Sequence, residues 1–290
     1  MLATGTPMKL HLKVPTLNDS PKDFEQMFEL WRVVQHCESP VVIFDFSDCC
    51  FLRQNAVAFL GGLARLIEAR DGFPHFAWQT MQDDIRMNLS QNGFTTAFSQ
   101  ATGGWQGNSI PYREDAEHDI IGIASFLDEH WLGRDWVSVD SSLKDEIVST
   151  MAELYDNAFT HGLSSIGVFT CGQRFPALNA LKLTIIDFGV GIPANVRCYL
   201  DQPCLPAQST MEWAFTAGNT TRGEECPAGI GLDTLKAFVK EKQGKIEIYS
   251  HDGYAIIDRN QERYATIGTF FEGTLINITV KCDPVSYTCL

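Results

Sequence analysis

The sequence lacks the features that would place it in a membrane or on a nucleic acid. No apolar run approaches the roughly 20 residues that a membrane-spanning helix needs. The first residues also lack the basic-then-apolar order of a signal peptide. No run of Lys and Arg is present, and the formal net charge is −14, so a duplex-binding surface is not expected. We therefore expect a cytoplasmic protein that acts on neither a membrane nor a nucleic acid.

Cysteine is present but not in a pattern that forms a known type of centre. The nine cysteines are an odd number and include no C-x-x-C pair, and no Cys and His residues have the spacing of a metal site. Cys49 and Cys50 are adjacent in an apolar context. We expect buried free thiols rather than a disulfide framework.

The first hundred residues predict a small α/β domain, to which we assign residues 1–105. The chain has 290 residues and 44% apolar content, which suffices for one large or two ordinary domains. Alternation, helical spacing and turn residues divide this part into strands and helices in turn. The predicted strands are 9–14, 41–47 and 75–81, and the predicted helices are 19–37, 55–72 and 83–93.

The rest of the chain predicts a second α/β domain over 135–290. A glycine-rich stretch at 101–111 marks the boundary, so 106–134 is assigned to a linker and a connecting helix, with helical spacing over 113–132. A second helix is predicted from about 140 to 162, and a third begins near Gly229. The predicted strands are 166–171, 181–187, 245–250, 254–258 and 273–280.

The stretch MAELYDNAFTHG (151–162) gives the second helix two different faces. Glu153, Asn157 and His161 are spaced by four, so they stack on one side of the helix, one turn apart. A separate apolar stripe has the spacing of a core face. It consists of Ile147, Met151, Leu154 and Ala158. Taken alone, the polar stripe is better explained as a solvated surface.

Two glycine clusters follow this helix. LTIIDFGVGIP (183–193) is a buried strand that ends at Asp187 and continues into Gly189 and Gly191. Further on, a Gly- and Thr-rich loop ends in Gly229 and Gly231 and runs into the third helix. Each cluster alone is a weak signal, because ordinary turns use Asp and Gly. Their order after an E-x-x-x-N helix is the informative feature.

The ordered set resembles the Bergerat-fold ATP-binding family, which histidine kinases, DNA gyrase and the anti-sigma-factor kinases share. The resemblance covers about 135–282 and implies an α/β sandwich that binds ATP and Mg²⁺. Glu153 and Asn157 match the N box of the family. The first glycine box is matched by Asp187, Gly189 and Gly191, the second by Gly229 and Gly231, and the Gly-Thr that closes the site by Thr274.

The chemistry of these residues agrees with a nucleotide. The sequence has no G-x-x-x-x-G-K-[ST], so phosphate charge would be met by Mg²⁺, backbone N–H groups and a helix N-terminus. Asn157 can supply an oxygen to Mg²⁺, and Glu153 can orient or deprotonate an attacking group. Asp187 can accept a hydrogen bond from the adenine amino group.

The remaining candidates have two explanations each. His161 either braces the site or only caps the helix, since Gly162 follows it. The loop that contains Thr220, Thr221 and Arg222 is either a nucleotide lid, with Arg222 as a phosphate contact, or an ordinary flexible loop.

The first domain resembles, more weakly, the STAS domain of anti-sigma-factor antagonists. The resemblance rests on the segment 40–66, in which a buried strand ending in Asp-Phe-Ser leads through a short loop into an apolar helix. Those antagonists carry a phosphorylatable serine at the start of this helix. Here residues 51–56 contain no hydroxyl group. This departure favours a structural or partner-docking role over phosphorylation at that position.

Two functions agree with the sequence. In the first, Mg·ATP orders a lid and controls the binding of a protein partner, with slow ATP hydrolysis or Ser/Thr protein kinase activity as the reset. In the second, the protein is a nucleotide-sensing interaction module without catalysis. The sequence leaves the oligomeric state open between monomer and homodimer.

Overall fold

The N-terminal part of the chain folds as the sequence predicts, as strands alternating with helices. A computed structural model describes residues 9–38, 40–99, 107–216, 218–219 and 230–282, with only the backbone of 230–232. The first elements are β1 (Lys9–Lys13), α1 (Pro21–Val34), β2 (Val41–Asp45), α2 (Gln54–Glu68) and β3 (Phe73–Phe76). The third strand ends earlier than predicted, at a 3₁₀ turn over Trp78–Thr80. Two short helices follow, α3 (Asp83–Gln91) and α4 (Phe94–Phe98).

The first three strands form a parallel sheet in the order β1-β2-β3. Parallel strands in sequential order with right-handed crossovers place α1 and α2 on the same face of the sheet. Leu12, Phe44 and Phe76 lie in register across the three strands and are buried on that face. The alternating neighbours His11 and His75 are exposed on the other face.

The second part of the chain builds a five-stranded antiparallel sheet in the order β4-β5-β6-β8-β7. Its strands are β4 (Ser109–Asp115), β5 (Val168–Phe175), β6 (Ala180–Asp187), β7 (Lys245–Asp258) and β8 (Glu262–Lys281). The helices of this part are α5 (Ile120–Phe126), α6 (Ser141–Thr160), α7 (Gly191–Leu200), α8 (Ala207–Ala214) and α9 (Ile230–Glu241). One face of the sheet is buried against α5, α6 and α9.

The structure corrects the prediction for the second part of the chain in four places. The helix predicted over 113–132 is wrong at its start, because β4 occupies 109–115, and α5 begins only at Ile120. The strands predicted at 245–250 and 254–258 are one strand, β7, in which register shifts around His251 interrupt the alternation. Strand β8 begins at Glu262, well before the predicted start at Gly273. Helices α7 and α8 were not predicted.

The opposite face of the antiparallel sheet is covered by the helices of the first part of the chain. Helix α2 contacts β3 on one side and β5 and β6 on the other, and α1 contacts β8. Helix α2 is buried on nearly all sides, as expected of a helix between two sheets. Phe28 of α1 stacks on Phe271 of β8 with ring centroids 5.0 Å apart, and it meets Phe59 of α2 at 6.5 Å. The two parts of the chain therefore share one aromatic core.

A buried polar contact accompanies this aromatic core. Gln54, the first residue of α2, is 1% exposed. Its Nε2 donates to Thr184 Oγ1 of β6 at 3.3 Å and to Asn277 Oδ1 of β8 at 3.1 Å. The Thr184 hydroxyl also donates to Asn277 Oδ1, at 2.9 Å. The start of α2 is thus fixed over the middle of the antiparallel sheet.

The cysteines agree only in part with the expectation. All seven cysteines that the structure describes are free thiols. Cys49, Cys171 and Cys282 are buried, but the expectation of burial is wrong for the exposed residues. These are Cys50, Cys198 and Cys204. Within the described ranges, no helix has the length and apolar character needed to cross a membrane.

The shared core predicts that both parts of the chain unfold together. Phe59→Ala should lower the free energy of unfolding by about 3–5 kcal/mol, because the ring is fully buried between the two sheets. The matched control is Phe73→Ala, which removes a ring that is 62% exposed and should change stability by at most about 0.5 kcal/mol. Urea unfolding followed by tryptophan fluorescence and far-ultraviolet circular dichroism should show coincident transitions. Two separate transitions, with only one shifted by Phe59→Ala, would contradict a common core.

Candidate functional site

Helix α6 presents the two faces that the sequence predicts. It begins after Asp140, whose Oδ1 accepts the backbone N–H of Leu143 at 3.0 Å and so caps the helix. Ile147 and Met151 of the apolar stripe are fully buried. Glu153 and Asn157 are exposed on the other face. The packing of the apolar stripe therefore fixes the direction in which the polar stripe points.

The C-terminal end of α6 is closed by its own backbone. The N–H groups of His161 and Gly162 both donate to the carbonyl oxygen of Asn157, at 2.9 and 3.0 Å. His161 follows the last helical residue, Thr160, at the C-cap position and is half-buried. Its carbonyl oxygen accepts Nδ2 of Asn195, in α7, at 2.8 Å. The backbone of His161 thus links the helix end to α7, which agrees with the capping role.

Strand β6 ends at a buried carboxylate. Asp187 is 4% exposed, and its Oδ1 accepts the backbone N–H of Gly189 at 2.9 Å. Thr274 of β8 lies opposite Asp187 in the strand register. Burial raises the pKa of Asp187 to about 7, although hydrogen bonds from Gly189 and Thr274 act in the opposite direction. This carboxyl group therefore changes its charge close to neutral pH.

The turn after Asp187 lies directly against the end of α6. The backbone N–H of Val190 donates to the carbonyl oxygen of Gly162 at 2.7 Å. A Cβ atom at Gly189 would lie 1.8 Å from that same oxygen, so only glycine fits there. Gly191 has φ +75°, and a Cβ atom there would lie 2.3 Å from the carbonyl oxygen of Glu272. The 151–162 helix and the D-x-G-x-G turn, far apart in sequence, therefore meet in space.

Two residues of β7 that were not predicted from the sequence form hydrogen bonds to the turn. Ser250 Oγ accepts the N–H of Ile192 at 2.9 Å and donates to the carbonyl oxygen of Gly273 at 2.9 Å. His251 Nε2 donates to the carbonyl oxygen of Val190 at 2.8 Å. His251 lies at the irregularity in β7 and has φ +54°. The Ser-His pair at the point where the pairing of β7 becomes irregular was the available signal.

The tautomer of His251 follows from its two neighbours. The carbonyl oxygen of Val190 can only accept, so Nε2 carries the proton and Nδ1 accepts from Nη1 of Arg197, 3.4 Å away. Burial and the Arg197 charge lower the pKa of His251, which favours this neutral form. His251 therefore contacts the turn as a neutral imidazole.

One buried side-chain oxygen beside the turn makes no hydrogen bond to the described residues. Ser164 Oγ is buried and has no hydrogen-bond partner among the residues that the structure describes. The backbone nitrogen of Ser164 is 3.0 Å from the place where a Cβ of Gly189 would lie, which puts this residue next to the turn. A buried hydroxyl without a partner is costly unless a ligand or water meets it.

The remaining predicted residues lie in β8, in α9 or outside the described residues. Thr274 forms the hydrogen bond with Asp187 already given. Gly231 lies in the first turn of α9, and Thr234 of that helix donates to Glu146 Oε1 of α6 at 2.6 Å. Four predicted site residues lie outside the described ranges. They are Thr220, Thr221, Arg222 and Gly229.

The described residues do not form a preassembled metal centre. No group of three or more His, Cys, Asp or Glu side chains within them could hold a metal ion. A magnesium ion commonly takes only one or two ligands from protein and the rest from phosphate and water. The single exposed carboxamide of Asn157 is compatible with that mode and not with a cage of protein ligands.

The buried carboxyl group predicts a pH dependence of stability. The folded pKa of Asp187 is about 7 and the ordinary value is 3.8, so between these values the folded protein binds more protons than the unfolded chain. The free energy of unfolding should therefore fall as pH rises through this window. The full effect is on the order of 4 kcal/mol, since one pKa unit corresponds to about 1.36 kcal/mol.

Asp187→Asn isolates this contribution, because the amide mimics the protonated acid. The stability of the wild type minus that of the variant, measured by urea unfolding between pH 4.5 and pH 8, should decrease as pH rises. A difference that stays constant over this range would show that Asp187 ionises normally in the folded protein.

No protein-family model matches the chain, and no curated protein matches it. A function for this chain must therefore be argued from the site itself.

Proposed function

We propose that the chain binds Mg·ATP between the polar stripe of α6 and the D-x-G-x-G turn, and that the bound nucleotide controls a protein partner. One observation carries the proposal. The turn that contains buried Asp187 lies directly on the end of the helix that presents Glu153 and Asn157, through the 2.7 Å contact of Val190 with Gly162. This is the juxtaposition that the resemblance to Bergerat-fold ATPases requires of these residues.

The adenine base would bind at Asp187. Its carboxylate is an acceptor in a site closed to bulk water, and the adenine amino group is a matching donor. The neighbouring hydroxyl of Ser164, which has no partner among the described residues, can form a further hydrogen bond to the base. Because a donor stabilises the ionised acid, we expect nucleotide binding to lower the pKa of Asp187 from its raised value of about 7.

The phosphates would extend along α6. Magnesium, when bound, neutralises phosphate charge, and Asn157 would supply one of its oxygen ligands. Glu153, one turn earlier on the exposed face, would orient or deprotonate the group that attacks the γ-phosphate. The N-terminus of α9 offers backbone N–H groups and the positive end of its dipole. The lid that the resemblance implies, with Thr220, Thr221 and Arg222, lies outside the described residues.

The N-terminal part would serve as a fixed regulatory layer. In the STAS-like alignment, the phosphorylated position falls at the start of α2. Gln54 at this point is 1% exposed and hydrogen-bonded to β6 and β8. A kinase could not reach this position in the folded chain, and the residue has no hydroxyl. These facts support a structural role for this layer in the switch.

The two polar residues of α6 should have separable effects. Asn157→Ala should weaken Mg·ATP binding by roughly 10- to 100-fold, because an interaction with a charged group contributes about 1.5–3 kcal/mol. Glu153→Ala should leave the affinity nearly unchanged and abolish the release of γ-phosphate. Titration calorimetry and a phosphate-release assay measure the two effects.

Asp145→Ala is the matched control, since it removes an exposed carboxylate from the same helix two turns earlier. It should change neither measurement. A wild-type protein that binds Mg·ATP but shows neither turnover nor phosphotransfer would favour the non-catalytic sensing module. A folded wild type with no affinity for Mg·ATP or Mg·ADP would overturn the proposed function.

A further inference from the structure

Phe188, the residue between Asp187 and Gly189, connects the turn to the other side of the sheet. Its ring centroid lies 5.9 Å from that of Phe59 in α2 and 5.3 Å from that of Phe271 in β8. It also meets Phe169 of β5 edge to face at 6.0 Å. The central side chain of the turn therefore belongs to the aromatic core that α2 shares with the sheet.

Helix α2 has a notch that accepts this ring. A Cβ atom at Gly62 would lie 2.2 Å from Cε2 of Phe188 and 2.9 Å from Cδ2 of Phe169. The preceding residue, Gly61, is in close contact with a different ring. A Cβ atom there would lie 2.0 Å from the Tyr112 hydroxyl oxygen. Glycine within a helix is unfavourable relative to alanine. Close approach of the helix to these two rings explains both glycines.

The backbone on either side of Phe188 is in close contact with neighbouring elements. A Cβ atom at Gly273 would lie 2.0 Å from the carbonyl oxygen of Asp187 and 2.9 Å from Cα of Phe188. Val190 is held at its N–H by Gly162 and at its carbonyl oxygen by His251. The turn is therefore enclosed by α6, β7 and β8, and the Phe188 ring is its contact with α2.

We propose that α2 sets the position of the D-x-G-x-G turn through the contact of Phe188 with Gly62, so that the N-terminal layer regulates nucleotide affinity. Phe188 and Gly62 are positioning residues in this scheme, and the inference rests on the proposed nucleotide site. A protein that binds the N-terminal layer and shifts α2 would move the turn. By linkage, bound nucleotide would change the affinity for that protein by the same factor.

The two adjacent glycines provide a matched pair of variants. Gly62→Ala and Gly61→Ala each add one methyl group at adjacent positions of α2, and each forces a different aromatic ring to move. Both should lower the melting temperature by a similar amount. Only Gly62→Ala should weaken the binding of Mg·ADP, by roughly tenfold or more, because only it displaces the turn that places Asp187. Titration calorimetry on the full chain measures the affinities.

A second measurement does not depend on the glycine variants folding. Phe188→Leu retains an apolar side chain but removes the ring from the notch. In the wild type, Mg·ADP should slow amide hydrogen exchange in residues 59–66 of α2; in Phe188→Leu this protection should be lost, with nucleotide at saturating concentration in both samples.

The outcomes separate the inference from the proposed function. If Mg·ADP binds the wild type and both glycine variants with the same affinity, the inference is overturned and the proposed function is left intact. The same holds if nucleotide leaves hydrogen exchange in α2 unchanged. A wild type that binds neither Mg·ADP nor Mg·ATP overturns both. A selective loss in Gly62→Ala together with lost protection in Phe188→Leu supports the regulatory contact.

Discussion

The site depends on the contact between two backbone segments, the end of α6 and the turn after β6. The Gly162 carbonyl accepts the N–H of Val190, and Gly189 lies so close to that carbonyl that no side chain fits between them. This contact fixes the distance between the exposed stripe of α6 and the buried Asp187. The apolar stripe of α6 then orients the helix, and the pairing of β6 with β8 brings Thr274 to the carboxyl group. Every other feature of the candidate site adds to this arrangement.

Much of the fold follows from local pattern, and the parts that do not are set by long-range packing. The two faces of α6 were predictable because a helix of five turns repeats its period several times. Strand β4 was not, because Ser109–Asp115 follows a glycine-rich stretch and merges into a polar segment that also has helical spacing. The first half of β8 was missed because it pairs with β7 alone and is largely exposed, so its alternation carries little apolar signal. The apolar character of α2 indicated a buried helix. It could not indicate that the helix lies between two sheets.

The site shows the same division between motif and context. Asp187, Gly189 and Gly191 were identifiable because their D-x-G-x-G spacing follows an E-x-x-x-N helix in the chain. Ser250 and His251 support the turn from a strand some sixty residues further along the chain, and no spacing rule connects the two segments. Phe188 was seen only as the variable residue of the motif. The role of Phe188 depends on the packing of α2 against the sheet, which only the whole fold determines.

The alternation of strands β6 and β8 explains how one sheet can serve two purposes. On β6, Thr184 and Ile186 face α2, whereas Ile185 and Asp187 face the layer of α6. On β8, Asn277 and Leu275 face α2, whereas Thr274 and Ile276 face the layer of α6. The buried polar contact of Gln54 and the buried carboxyl group therefore lie on opposite faces of the same two strands. Since the interior is close-packed, a displacement of α2 cannot be absorbed by empty space between the layers. It has to be taken up by the sheet or by the turn at its end, and the turn contacts α2 through Phe188 and the end of α6 through Val190.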